Sequence, residues 1–352
     1  MHTFKLGEFF SGAGGIALGA KNAVSDNMKF NISHEWAVDN NKDACTTYSF
    51  NLLNNQKTHL YCKDVRKIKI EALSDIDAFA YGFPCNSFSI LGKHLGIDDE
   101  KYGNLYLYGV KVLNHHKPKF FLAENVNGIQ STGNREHFNR ICNDLKATGY
   151  HLNINLYKFE EYGIPQKRHR IIIVGIRNDL FEQGIEFKVP STEPYKDIDN
   201  SAGTALAFIP ADAPNHEIKY PNEIVKERMS YIKPGENIHH AQIPQNLKIK
   251  ALYSNIYRKL DPREPANTVI ALGGGGTKPF IWYNNVREIT NREMARLQTF
   301  PDDFIFIGNS TSVRKQIGMA VPPKGAEIIF KAILNTFAKI PYPNVPANIS
   351  EI

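Results

Sequence analysis

The chain has 352 residues, of which 42% are hydrophobic and 22% charged, and a net charge of +6. These values fit a globular protein long enough for two lobes, and no run of about 18 apolar residues is present to span a membrane. Cys45, Cys62, Cys85 and Cys142 are scattered without a CxxC pair. That disfavours a zinc site or a disulfide framework, so no metal is expected. The N-terminus enters FKLGEFF directly, with no basic-then-apolar leader, and a cytoplasmic, reduced protein is expected.

Up to about residue 178, short apolar runs alternate with helical patterns. Strands are expected at Lys5–Phe10, Ile32–Val38, Ala78–Tyr81, Lys119–Ala123 and Arg170–Ile176. Helices are expected around Gly15–Ala23, Lys42–Leu53, Leu105–His115 and Glu136–Thr148. This alternation predicts an α/β fold with a doubly wound, mostly parallel, Rossmann-like sheet. Its ligand crevice would lie beyond the carboxyl ends of the strands. Residues 1–180 are therefore assigned to a large domain and residues 181–285, which show little periodicity, to a smaller, irregular one. Residues 286–352 are expected to return to the large domain. There TNRE at 290–293 reads as a capping box, and Ala326, Ile329, Phe330, Ile333 and Phe337 share one helical face.

FFSGAGGIALG follows the first strand, and Gly12, Gly14 and Ala17 fit the loose pattern G-x-G-x-x-G/A. Such turns bring a nucleotide close to a helix N-terminus, and NAD, FAD and S-adenosylmethionine sites all use them. Asp39 ends the second strand, where an acid would bind ribose hydroxyls, and Asp64, in CKDV, ends a further candidate strand before Ala78–Tyr81. Together these features suggest an adenosine pocket without naming the cofactor.

Cys85 stands in GFPCNSFS, after an apolar strand and among small polar residues that make poor core neighbours. A nucleophilic thiolate needs such a partly exposed setting. The stretch after it, GKHLGIDDEKYGN, reads as a loop over an active site. Glu124 and Asn125 follow one apolar run, and Arg168 and Arg170 precede another. Glu124 and Arg170 could also form a plain buried salt bridge. Between Gln242 and Phe280, six basic residues face two acidic ones, beside the glycines of 273–276. That composition suits close approach to a phosphate chain, or a solvated loop.

Taken in order, FFSGAGG, GFPCNSFS, AENV, QKRHR, REITNREMARLQTFPDDF and QIGMAVPP closely resemble the motifs of the DNA cytosine-5 methyltransferases. The resemblance covers residues 4–178 and 256–338. It implies an S-adenosylmethionine-dependent enzyme of the restriction-modification type, which adds a cysteine thiolate to C6 of a flipped-out cytosine. Cys85 would be that nucleophile. Glu124 would hold and protonate N3, and Arg170, with Arg168, would bind O2. The cofactor site would comprise Phe10, Gly12, Ala13, Gly14 and Gly15, with Asp39 on the ribose, Asp64 near the adenine amine and Leu105 against the ring. Asn40, Val65, Pro84, Met319 and Ala320 complete it. DNA contacts are expected from Asn86, Ser87, Ser89, Arg258, Thr268, Val269, Gly274 and Gly275. Arg258 could read guanine or grip a phosphate.

The sequence departs from the family pattern at Asn86, in place of glutamine, at Asn40, in place of an aromatic, and at Met319, in place of asparagine. None of these removes a group that performs the covalent chemistry. The implied partner is double-stranded DNA, bound by a monomer, with a restriction endonuclease acting separately. The transfer-RNA branch of the family and a non-catalytic DNA-binding scaffold are the alternatives. A dinucleotide oxidoreductase has only the glycine turn in its favour.

Overall fold

The structure, a computed structural model, describes residues 1–53, 59–84, 104–130, 134–249, 257–271 and 280–350. The chain divides into two compact units. The first comprises Met1–Lys158, His169–Pro194 and Pro323–Ile352, and the second Phe159–Arg168 and Tyr195–Pro322.

The first unit is built on a seven-stranded sheet. Its strands are β1 (His2–Phe9), β2 (Phe30–Asp39), β3 (Leu60–Cys62), β4 (Ala78–Tyr81), β5 (Phe120–Val126) and β6 (Tyr150–Lys158). After β7 (Gln166–Lys167), which lies in the second unit, β8 (His169–Arg177) completes the sheet. The strand order is β3-β2-β1-β4-β5-β8-β6. Strands β1 to β5 pair in parallel, whereas β8 runs antiparallel to both β5 and β6.

The strand expected near Arg170 is therefore the reversed one. The chain turns back through residues 159–168 and inserts β8 between β5 and β6, which had no clear strand pattern of its own. All four residues of β4 are buried, as is the run Ile171–Ile176 of β8. Strands covered on both faces need such unbroken apolar runs.

Helices α1 (Gly15–Asn22), α2 (Lys42–Leu52), α3 (Tyr106–His116), α4 (Arg135–Lys146) and α5 (Asn178–Glu182) connect or flank the strands. Each of the first four falls within two residues of its expected bounds. The chain passes from β1 through α1 to β2 on one side and later enters β4 on the other. The carboxyl ends of β1 and β4 thus mark the topological switch point, where such sheets hold their ligands.

In the second unit, α6 (Ala202–Ala205), α7 (Glu223–Ser230), α8 (Asn291–Leu297) and α9 (Ser310–Met319) are joined by irregular segments. Met229, Ile232, Tyr257 and Ile281 are among the buried residues of one of its apolar clusters. Residues 286–322, expected with the large domain, pack in this unit. Arg287 and Glu293 form a buried ion pair there, and the Arg292 guanidinium donates to the carbonyls of Pro214, Pro301 and Phe304. The final helix, α10 (Pro323–Ala338), returns to the first unit. It lies so close to α1 that a Cβ on Gly19 would sit 2.5 Å from Ala326 Cβ.

Candidate active site

The turn after β1 is left-handed at three of five positions: Phe10 (φ 56°), Gly12 (φ 54°) and Gly14 (φ 94°). Glycine takes this conformation without strain, whereas phenylalanine does not. A Cβ on Gly12 would meet nothing within 4 Å, so the space over this residue is open. At Gly14 a Cβ would fall 2.4 Å from Leu52 Cδ1, because α2 packs directly beneath the turn. Ala13 and Gly15 are buried within it.

The Asp39 carboxylate ties the end of β2 to this turn. It accepts from the Gly12 N–H and the Asn41 N–H, each at 2.8 Å. Asp64 accepts from the Arg66 N–H at 2.9 Å and from the Arg66 guanidinium at 2.6 and 2.9 Å. The Arg66 side chain holds the Asp64 carboxyl below the usual carboxylate range. Val65 and Leu105 are buried in the core, Asn40 is exposed and Pro84 is half-buried. An open left-handed glycine, backbone donors at a helix start and an acid on the neighbouring strand end fit an adenosine-bearing cofactor.

Across the sheet, Arg170 Nε lies 2.8 Å from Glu124 Oε1, and each side chain is 13% exposed. Register explains the pairing, since Val126 on β5 stands opposite Arg170 on β8. The Arg170 Nη1 group also donates to the His169 carbonyl at 2.7 Å, which fixes the guanidinium plane. A Cβ on Gly82 would come within 3.1 Å of Glu124 Oε2. Asn125, adjacent to the acid, donates from Nδ2 to the Phe83 carbonyl at 3.2 Å. Residues 82–84 are thereby held alongside Glu124, immediately before position 85. Cys85 itself lies outside the described residues, as do Asn86, Ser87, Ser89, Gly274 and Gly275.

Arg168, expected to bind O2 with Arg170, belongs to the second unit. It is 1% exposed and donates from Nη1 to the Val269 carbonyl at 3.1 Å and from Nη2 to the Gly318 carbonyl at 3.0 Å. A buried guanidinium is stable only where acceptors surround it, and here those acceptors are backbone. Gln166 joins the same clasp. Its Nε2 donates to the Leu297 carbonyl at 3.0 Å, and its Oε1 accepts from the Val269 N–H at 2.9 Å. Gln298 Nε2 donates to the Ile317 carbonyl at 2.7 Å.

The Val269 side chain is buried. Thr268 is half-buried, and its hydroxyl donates to the Lys167 carbonyl at 2.6 Å. Arg258, in the short strand β9 (Arg258–Lys259), is half-buried. At the end of α9, Met319 is 61% exposed and Ala320 half-buried. Sequence reasoning named QKR, LQ and IGM as motifs but missed that Gln166, Gln298 and Asn125 act as internal fasteners. A buried amide leaves no pattern that separates it from an exposed one.

A family model for the C-5 cytosine-specific DNA methylases matches residues 4–335. The chain belongs to this family. The methylase is 48% identical over 357 residues to the Type II methyltransferase M.BbvI of Brevibacillus brevis, spanning 97% of this chain and 94% of the relative. It is 35% identical over 342 residues to M.NgoFVII of Neisseria gonorrhoeae, spanning 95% of this chain and 87% of the relative. The fold is similar to that of a Dnmt2 methyltransferase from S. pombe, with a TM-score of 0.64 at 14% identity over 96% of this chain and all of the other. The methylase is accordingly a DNA cytosine-5 methyltransferase of the restriction-modification type. Among the described residues, no helix is long and apolar enough to cross a membrane, and no group of three His, Cys, Asp or Glu side chains is placed to hold a metal.

Proposed function

We propose that this methylase modifies C5 of a flipped-out cytosine in a short specific double-stranded DNA sequence, through a covalent bond between Cys85 Sγ and C6. The observation that carries this reading is the Glu124–Arg170 pair at 2.8 Å, with Gly82 against the other oxygen of the acid. Cytosine carries N3 and O2 on adjacent atoms, and a carboxyl and a guanidinium held side by side match that edge. Glu124 gives a proton to N3, Arg170 donates to O2, and the ring becomes electron-poor at C6. The Cys85 thiolate adds there, which makes C5 nucleophilic; the bound cofactor would supply the methyl group, its sulfur leaving as a neutral thioether. Loss of the C5 proton then expels the thiolate and returns the N3 proton to Glu124.

S-adenosylmethionine, held by the turn at 10–15 and by Asp39 and Asp64, supplies an electrophilic methyl group on a sulfonium. A base within a duplex presents neither C5 nor C6 to such groups, so the target nucleotide must leave the stack. The second unit, with Arg258 and its basic surroundings, is assigned to holding the DNA, and a monomer suffices because one chain carries every motif. A restriction endonuclease acting separately at the same sequence is the partner this class implies.

The test is cytosine-conversion sequencing of DNA from a methylation-free host that expresses the protein or its Cys85→Ala variant. Methylation in one fixed context, absent from the variant, is the expected result. Methylation that persists in the variant would sink the covalent mechanism.

A further inference from the structure

Beneath the glycine turn lies a buried polar pair that the proposed chemistry does not use. Glu8 on β1 is 1% exposed, and the Tyr48 hydroxyl of α2 donates to its Oε2 at 3.1 Å. Glu8 Oε1 is buried without a hydrogen bond among the described residues. The Tyr48 ring also supports the turn, since a Cβ on Gly14 would lie 3.0 Å from Tyr48 Cδ2. One side chain therefore touches both the buried acid and the backbone of the turn.

Among the described residues, the groups that act on Glu8 include no cation. From α2 comes Tyr48, a neutral donor. From β2 come the Asp39 carboxylate and His34, whose Nδ1 lies 3.5 Å from the Tyr48 hydroxyl. Burial pushes the His34 imidazole down to about 4, with help from Lys21 of α1, so the ring is neutral at physiological pH. On β4 the residue paired with Glu8 is Ala80, which does not titrate. Burial pushes the Glu8 carboxyl up to about 8, against the hydrogen bond from Tyr48, and Asp39 adds to the rise. Burial with a single neutral donor therefore favours the protonated form of Glu8.

We propose that Glu8 and Tyr48 are positioning residues for the cofactor turn: their neutral hydrogen bond keeps α2 seated under Gly14, and loss of the Glu8 proton unseats it. This rests on the reading of the turn as the S-adenosylmethionine site. A turn that binds only when seated favours protonated Glu8, so cofactor binding and proton binding reinforce one another. Binding at a pH near the Glu8 transition then takes up a proton from solvent.

The experiment is calorimetric titration of S-adenosylhomocysteine into the wild-type protein, Glu8→Gln and Tyr48→Phe between about pH 6.5 and 9.5, in buffers of differing ionisation heat. Glutamine keeps the acceptor for Tyr48 but cannot ionise. Wild-type affinity is expected to fall by up to about tenfold per pH unit above the transition, with fractional proton uptake near pH 8. Glu8→Gln is expected to bind with a flat profile over the same range and without that uptake. Tyr48→Phe is expected to bind several-fold more weakly at neutral pH. A shared pH profile and equal proton uptake in wild type and Glu8→Gln would overturn the inference, as would unchanged affinity in Tyr48→Phe. A folded wild-type protein that binds no S-adenosylhomocysteine at any pH would instead remove the cofactor reading, and this inference with it.

Discussion

Arg170 Nε meets Glu124 Oε1 at 2.8 Å across the antiparallel seam of β5 with β8. That seam exists because the chain reverses before β8, so the reversed strand is what brings the cation to the acid. The pair is partly desolvated, which strengthens its field on a bound base and makes each partner costly to remove.

Glu124→Gln retains an acceptor for Arg170 and loses the proton. Methyl transfer in a single turnover should fall by about two to four orders of magnitude, with melting temperature and S-adenosylhomocysteine affinity nearly unchanged. Arg170→Ala should lose about two to three orders of magnitude from removal of the O2 donor. Full turnover by either variant would remove the pair from the chemistry.

Arg168 should behave in the opposite way. Its guanidinium donates to the Val269 and Gly318 carbonyls in a buried setting, so Arg168→Ala leaves acceptors stranded. A loss of about 3 kcal/mol of stability in urea unfolding is expected. An Arg168→Ala protein as stable as wild type but inactive would return this residue to the substrate.

Thr290 caps α8, accepting from the Glu293 N–H at 3.1 Å, while Glu293 Oε2 accepts from the Thr290 N–H at 2.6 Å. Thr290→Ala should cost about 1 kcal/mol, because one of the two reciprocal bonds is lost and the other remains. Thermal unfolding would measure it, and an unchanged midpoint would show that the Arg287–Glu293 ion pair alone fixes this helix end.

Arg258 is half-buried, and its Nε is buried without a partner among the described residues. If it grips a phosphate, Arg258→Ala should weaken binding of all sequences alike and lower the salt slope by about one. If it reads guanine, the loss should fall on one base pair of the site. Affinity unaltered at every salt concentration would take Arg258 out of the interface.

Much of the first unit was legible because its rules are local. Apolar runs marked β4 and β8, and glycines marked the turn after β1; in the second unit, TNRE marked the start of α8. Strand direction was not legible, since Ile171–Ile176 reads the same in either orientation and only its neighbours decide. β6 escaped because its apolar residues are interrupted by His151, Asn153 and Asn155. At the site, Glu124 and Arg170 stood out by position at strand ends, but Arg168 looked equivalent to Arg170. Two residues of spacing puts them on one face of a strand, and the break before β8 sends them to different units. Glu8 drew no notice because an acid inside an apolar strand looks like a solvent-facing residue until burial is known.

Glu8 also makes a prediction about fold stability that is separate from ligand binding. Burial pushes its carboxyl up to about 8 in the folded protein, against 4.5 for an ordinary exposed glutamate. Below about pH 4.5 both the folded and unfolded chains hold this proton, and the residue contributes no slope. Between about 4.5 and 8 only the folded chain holds it, so the unfolded state binds fewer protons and stability falls as pH rises, by up to about 1.4 kcal/mol per unit. Above about 8 both states have lost it and the slope vanishes. Other titrating groups add slopes of their own, but these are shared with Glu8→Gln, so the difference between the two proteins isolates Glu8. Urea unfolding across this range should show the variant gaining on wild type steadily from acid to neutral pH and then holding a constant lead. Parallel curves would mean that Glu8 is ionised or hydrated in the folded chain, and the neutral Glu8–Tyr48 bond would not exist at physiological pH.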